Sequence, residues 1–165
     1  MNFYTYMAKL DDKRGIESVY DGDTISKLQV DLGFNLKYIN SFRIIGIDTP
    51  ELRTKSKIEK IKGYQARTML RLLIGTNQLA IQSISKKGTG KYGRLLGKLY
   101  IHQGVDLDKE GNITNHKWLD AGQKMIDCGL AVAYDGGTKI KDWSKNESEI
   151  DEIDKMLNRI KEDKK

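Results

Sequence analysis

The first 47 residues read as strand after strand, and that pattern constrains the fold more than anything else in the chain. Tyr4–Leu10 and Ile16–Tyr20 carry β-formers on either side of the turn-like run Asp11-Asp12-Lys13-Arg14-Gly15. From Thr24 to Leu32 the residues Ile25, Leu28, Val30 and Leu32 give partial alternation, and Gly33-Phe34-Asn35 offers the next turn. Leu36–Ile47 follows as a further strand. Residues 16–47 therefore predict a β-meander.

Helical spacing begins only after a polar, lysine-rich loop. Ile58, Ile61, Met69, Leu70 and Leu73 mark a first helix, with Gly75 as its stop. Strands resume at Leu79–Ser85 and Tyr92–Ile101, across the glycine-rich link Lys87-Gly88-Thr89-Gly90. A polar stretch, Asp106–His116, precedes a second helix around Trp118–Asp127 that ends at Gly129. Ser144 and Glu147 have capping-box spacing, and Ile150, Ile153, Met156, Leu157 and Ile160 then share one face of a third helix. Five strands with about three helices inserted predict an α+β fold, a small Greek-key β-barrel of the oligonucleotide-binding type. At 165 residues, with no repeat or linker, one domain is expected: residues 1–143, with the amphipathic helix 144–165 packed on it.

Composition narrows the function. Hydrophobic residues at 38% and charged residues at 32% describe a soluble globular chain, and no apolar stretch approaches a membrane span. The N-terminus shows no basic region followed by an apolar run, so no signal peptide is read and the cytoplasm is expected. Cys128 is the lone cysteine, which excludes an intramolecular disulfide. The net charge is +6, and the basic residues cluster. Residues 53–71 hold Arg53, Lys55, Lys57, Lys60, Lys62, Arg67 and Arg71 against Glu59 alone, and Lys86, Lys87, Lys91, Arg94 and Lys98 follow with no acid among them. A basic run is ordinarily a solvated face, but two of them suit a phosphate-rich partner.

Between those strands and the first basic run lies Phe42-Arg43-Ile44-Ile45-Gly46-Ile47-Asp48-Thr49-Pro50-Glu51. The segment delivers a guanidinium at one end and two carboxylates at the other. Pro50, the only proline, sits between the acids and can hold them at a fixed separation. An arginine beside paired acids suits a phosphate ester next to a hard cation, since the arginine binds phosphate while the acids bind metal. On these ten residues alone, a surface salt bridge at a strand end is the favoured reading.

Two further elements bear on that choice. Asp21-Gly22-Asp23-Thr24 is turn-like, yet Asp23 meets Asp48 if their strands are barrel neighbours; two carboxylates, a carbonyl and waters make a plausible Ca²⁺ site. Lys91-Tyr92-Gly93-Arg94 reads either as a turn with a solvated arginine or as a second guanidinium for a phosphorane-like transition state. Tyr134 is either a core residue or a platform for a base. Asp106–Gly111 imitates the front of an EF-hand, but its twelfth position is Lys117 where a bidentate glutamate is required, so it reads as a turn. His102 and His116 have no supporting ligands and read as surface residues.

The three motifs, in this order and spacing, resemble the staphylococcal nuclease (thermonuclease) family, with Gly129-Leu130-Ala131 and Tyr134 extending the likeness, so that it runs from Val19 to Tyr134. The resemblance implies an oligonucleotide-binding barrel with three helices that cleaves DNA and RNA phosphodiesters with Ca²⁺ and leaves 3′-phosphates. It implies Asp23, Asp48 and the Thr49 carbonyl as metal ligands, and Arg43 and Arg94 as the phosphate clamp. By the same resemblance, Glu51 would orient or deprotonate water, and Lys91, Tyr92 and Tyr134 would contact the nucleotide. The expected partner is a DNA or RNA substrate, with no membrane and a monomeric state. The alternative is an oligonucleotide-binding protein that does not cut. Segment 102–117 is longer than the family's turn, and the loop after Glu51 is rearranged. A nuclease retained in its own cytosol leaves open a phage or mobile-element product, or tight substrate control.

Overall fold

The computed structural model describes residues 4–83, 91–139 and 141–163. The link Lys87–Gly90 and the end of the strand expected at Leu79–Ser85 lie outside the described residues, as does the side chain of Lys91. Strands β1 (Tyr4–Leu10), β2 (Thr24–Asp31), β3 (Lys37–Ile44), β5 (Leu79–Ser83) and β6 (Leu95–Leu107) form a ring. Its order is β3-β2-β1-β5-β6, and β3 returns to pair with β6 in parallel. This is the α+β, oligonucleotide-binding architecture predicted from the strand pattern. The interior is filled by alternating residues, among them Ile25, Leu28, Phe42, Ile44, Leu99 and Ile101, all essentially inaccessible.

The β-meander differs from expectation at two places. Ile16–Tyr20 is not a strand: Gly15–Ser18 forms a 3₁₀ turn, and only Val19 bridges to Ile25. Asp11 causes this, because its carboxylate accepts from the amides of Lys13 and Arg14 while its carbonyl takes that of Gly15. The strand expected over Leu36–Ile47 breaks at Ile45–Gly46. Gly46 has φ 82°, and β4 (Ile47–Asp48) leaves the ring to pair with β8 (Val132–Ala133).

Helix α1 (Lys57–Ile74) starts at the Ser56 cap and stops at Gly75, as its spacing predicts. Met69, Leu70 and Leu73 are buried as expected, but the first half of the stripe differs: Ile61 is exposed, while Lys62, Gly63 and Ala66 face inward. Helix α2 (Ala121–Asp127) begins three residues later than expected, because Trp118–Asp120 belong to β7 (Ile113–Asp120), and Asp120 becomes the cap. The polar stretch at 106–116 holds the turn expected there, with strand on either side of it. It is the far half of a β6–β7 hairpin whose turn is set by Asp108, which accepts from the amides of Glu110 and Asn112. Helix α3 (Ser148–Glu162) lacks the expected capping box; the Ser144 hydroxyl is committed to Asp142 instead.

Helix α3 docks on α1 through polar groups as well as through Ile153 and Leu157. Lys62, only 1% exposed, donates to Glu149 Oε2 at 2.7 Å and to the Lys145 carbonyl at 2.6 Å. Gln65 donates to Asp154 Oδ1 and to the Ile150 carbonyl. A buried ammonium that loses its carboxylate keeps its desolvation cost without the compensating attraction. Glu149→Ala is therefore expected to lower stability by about 1–3 kcal/mol in urea unfolding, less than for a fully buried pair because Glu149 is a third exposed. A change below about 0.5 kcal/mol would show that the pair does not hold α3.

Candidate functional site

One end of the ring gathers most of the residues singled out in the sequence. Thr24 and Arg43 face each other across β2 and β3, and the Asp23 carbonyl accepts from the Ile44 amide at 2.8 Å. That pairing sets Arg43 Nη2 at 2.7 Å from Asp23 Oδ2, while the Thr24 hydroxyl donates to Oδ1 at 2.7 Å. Asp21 supports the loop by accepting from the Asp23 amide. Position 22 has no room for a side chain, since a Cβ on Gly22 would lie 2.8 Å from Ala66 Cβ and 3.0 Å from Thr49 Cβ. The glycine lets the Asp23 loop press against α1 and against the segment that carries Asp48.

Asp48 is buried at 1% exposure on β4. Its Oδ2 accepts from the Trp143 indole at 3.2 Å. The Lys139 ammonium stands 2.8 Å from Oδ1 and 3.0 Å from Glu51 Oε1, so one cation joins the acids on either side of Pro50. Beyond this ion pair, Oδ1 is buried and meets no further donor among the described residues. Glu51 is half-exposed, and its amide donates to Glu59 in the first turn of α1, which also takes the Thr54 hydroxyl. Neither Lys139 nor Trp143 was identifiable as a site residue from the sequence. Trp143 lies 95 residues from the acid it touches, and nothing local marks either one.

Arg94 precedes β6 and faces the same end of the ring as Arg43, because β3 and β6 pair in register Phe42 to Leu95. The two arginines border two cavities. One, of about 430 Å³, is also lined by Asp21, Glu51 and Arg53; the other, of about 610 Å³, by Gly46 and Tyr134. The Arg94 Nε is buried without a hydrogen-bond partner among the described residues. Tyr92 is 92% exposed, with its ring 5.9 Å from the Arg94 guanidinium. The Tyr134 hydroxyl donates to the Gly137 carbonyl at 2.7 Å and so braces the turn ahead of Lys139. His102 and His116 lie away on the β6–β7 hairpin, 3.1 Å apart between ring nitrogens.

Charge at this site is crowded. Burial, reinforced by the neighbouring Asp21 charge, raises the Asp23 carboxyl to about 7, although the Arg43 guanidinium pulls it down. Burial opposes the Lys139 charge, but pairing with Asp48 and Glu51 outweighs it and holds the ammonium protonated well beyond the ordinary lysine range. Among the described residues no group of three or more His, Cys, Asp and Glu is placed to hold a metal. The oxygen donors on offer are Asp23, Asp48 and the Thr49 carbonyl. Between pH 4 and 7 the folded chain holds a proton on Asp23 that the unfolded chain has released. Metal-free protein should thus lose stability as pH rises through that window. Asp23→Asn removes the effect, so its stability relative to the parent should improve from pH 4 to pH 8 by an amount of order a few kcal/mol. Parallel pH profiles in chemical unfolding would contradict the buried, proton-holding state.

No curated protein matches the chain. The family of staphylococcal nuclease homologues, SNase, matches residues 41–165, more than half of it. The matched part includes Arg43, Asp48, Thr49, Glu51, Arg94 and Tyr134, whereas Asp21–Thr24 precede it and join the site through the contacts of Asp23 with Arg43 and Ile44. The chain belongs to the SNase family.

Proposed function

We propose that this protein is a Ca²⁺-dependent nuclease that hydrolyses phosphodiester bonds of DNA, RNA or both. The observation that carries the reading is the convergence of Arg43, Arg94 and Glu51 on one cleft, with Asp23 paired to Arg43 and Asp48 joined to Glu51 through Lys139. A nucleic-acid binder needs basic and aromatic groups; it does not need three acids beside them. Among the described residues no helix is long and apolar enough to cross a membrane.

The donor set fits a hard cation. Asp23, Asp48 and the Thr49 carbonyl offer oxygen alone, and Asp48 Oδ1 is a buried oxygen whose one partner among the described residues is a cation, the Lys139 ammonium. Bound calcium supplies charge neutralisation at the phosphoryl oxygens. The chain supplies the rest. Arg43 and Arg94 hold the scissile phosphate from two sides and meet the charge that grows on its equatorial oxygens. Both guanidiniums border the same cleft, where a phosphate can lie between them. Glu51, half-exposed at the cleft, orients or deprotonates the attacking water. Lys91, Tyr92 and Tyr134 contact the nucleotide, the tyrosines through their rings.

Incubation of purified protein with single-stranded and duplex DNA and RNA, with Ca²⁺ or a chelator, tests the reading. Chelator-sensitive cleavage is expected; binding without cleavage would identify a non-cutting relative instead. Arg94→Ala should cost 10²-fold or more in turnover with the fold retained, about what one preorganised transition-state donor contributes. Turnover within twofold of the parent would remove Arg94 from the site.

A further inference from the structure

Lys139 belongs to none of the three motifs, yet its ammonium stands 2.8 Å from Asp48 and reaches Glu51 as well. An uncompensated carboxylate as buried as Asp48 would carry a large desolvation cost. The ammonium relieves that cost, standing beside an oxygen that meets no further donor among the described residues. Its segment is anchored on both sides. Upstream, the Tyr134 amide donates to the Gly46 carbonyl and its hydroxyl to Gly137. Downstream, the Trp143 indole donates to Asp48, with Lys141 4.3 Å above the ring. The anchors fix the backbone near the acids without using the Lys139 side chain, which is 46% exposed and so has a short path into water. The contact is therefore both well placed and breakable.

We infer that Lys139 is a built-in cation of the acid pair, occupying Asp48 and Glu51 when no divalent ion is bound and displaced when one binds. This rests on the calcium reading of the site. A divalent ion on Asp48 Oδ1 would stand close to the ammonium, and the repulsion between them in this buried setting favours one occupant over two. Metal affinity is then set by a competition within the chain. If nine in ten metal-free molecules hold Lys139 against the acids, the apparent dissociation constant for the ion is about tenfold higher than that of the open site. The lysine so raises the calcium concentration at which the site fills. The opposite role, a permanent organiser that holds Asp48 and Glu51 in place for the ion, predicts the opposite effect of removing it.

Calorimetric titration of CaCl₂ into the full chain, and into Lys139→Met and Lys139→Gln, separates these cases; urea unfolding confirms that each variant is folded. Two neutral replacements are used so that a packing fault in one does not decide the result. The expected outcome is calcium binding by all three proteins, tightened about tenfold in both variants. Equal affinity in parent and variants would overturn the role of Lys139 and leave the calcium site standing. Weaker binding in both variants would overturn it in favour of the organiser. No binding by any of the three, including the variants with an open acid pair, would overturn the calcium reading and this inference together.

Discussion

The short parallel pairing of β3 with β6 is the contact on which the rest of the site depends. It joins only Phe42 to Leu95, Arg43 to Leu96 and Ile44 to Gly97, yet it closes the ring and brings Arg43 and Arg94 to one end of it. Gly97 makes the closure possible. A Cβ there would lie 2.5 Å from the Gln82 carbonyl oxygen and 3.3 Å from the Phe42 ring, so no side chain fits between β5 and β3 at that point. Past Ile44 the chain can follow β6 no further: Ile45 donates to Gly97, Gly46 turns, and the acidic segment is carried across the end of the ring to β8.

That exit places carboxylates where water is scarce, and the chain answers with its own cations. Asp23 has Arg43 and Asp48 has Lys139, each within 2.8 Å. These pairs add little net stability compared with an apolar replacement, because two desolvations oppose one attraction. Their use lies in holding charged groups ready at a site that handles charge. Three guanidiniums, those of Arg43, Arg53 and Arg94, line the cleft together with Asp21 and Glu51.

Much of this was legible in the sequence, because it rests on local rules. β2 and β3 follow from alternation around Gly33, and α1 from its apolar spacing, the Ser56 cap and the Gly75 stop. The motifs likewise marked Arg43, Asp48, Glu51 and Arg94, which the fold brings to one place. What was missed has three causes: a local turn that overrides strand composition, a ribbon without an apolar face, and contacts remote in sequence. Ile16–Tyr20 has strand composition, but the Asp11 carboxylate upstream winds it into a 3₁₀ turn. Polar residues 106–116 carried no strand signal because a two-stranded ribbon outside the core needs no apolar face. Ile61 has the right spacing to be buried, but Lys62 and Gln65 turn the helix toward α3 by pairing with residues more than 80 positions away. Lys139 and Trp143 reach the acids only through the folded chain.

The central claim is that Asp23 and Asp48 form one calcium site beside the two arginines. An anomalous difference map from crystals of the full chain soaked in CaCl₂ tests it most directly. The expected result is a single strong peak in contact with carboxylate oxygens of both Asp23 and Asp48, with the Lys139 ammonium withdrawn from Asp48. A map without a peak between these two carboxylates, at calcium concentrations that support cleavage, would contradict it.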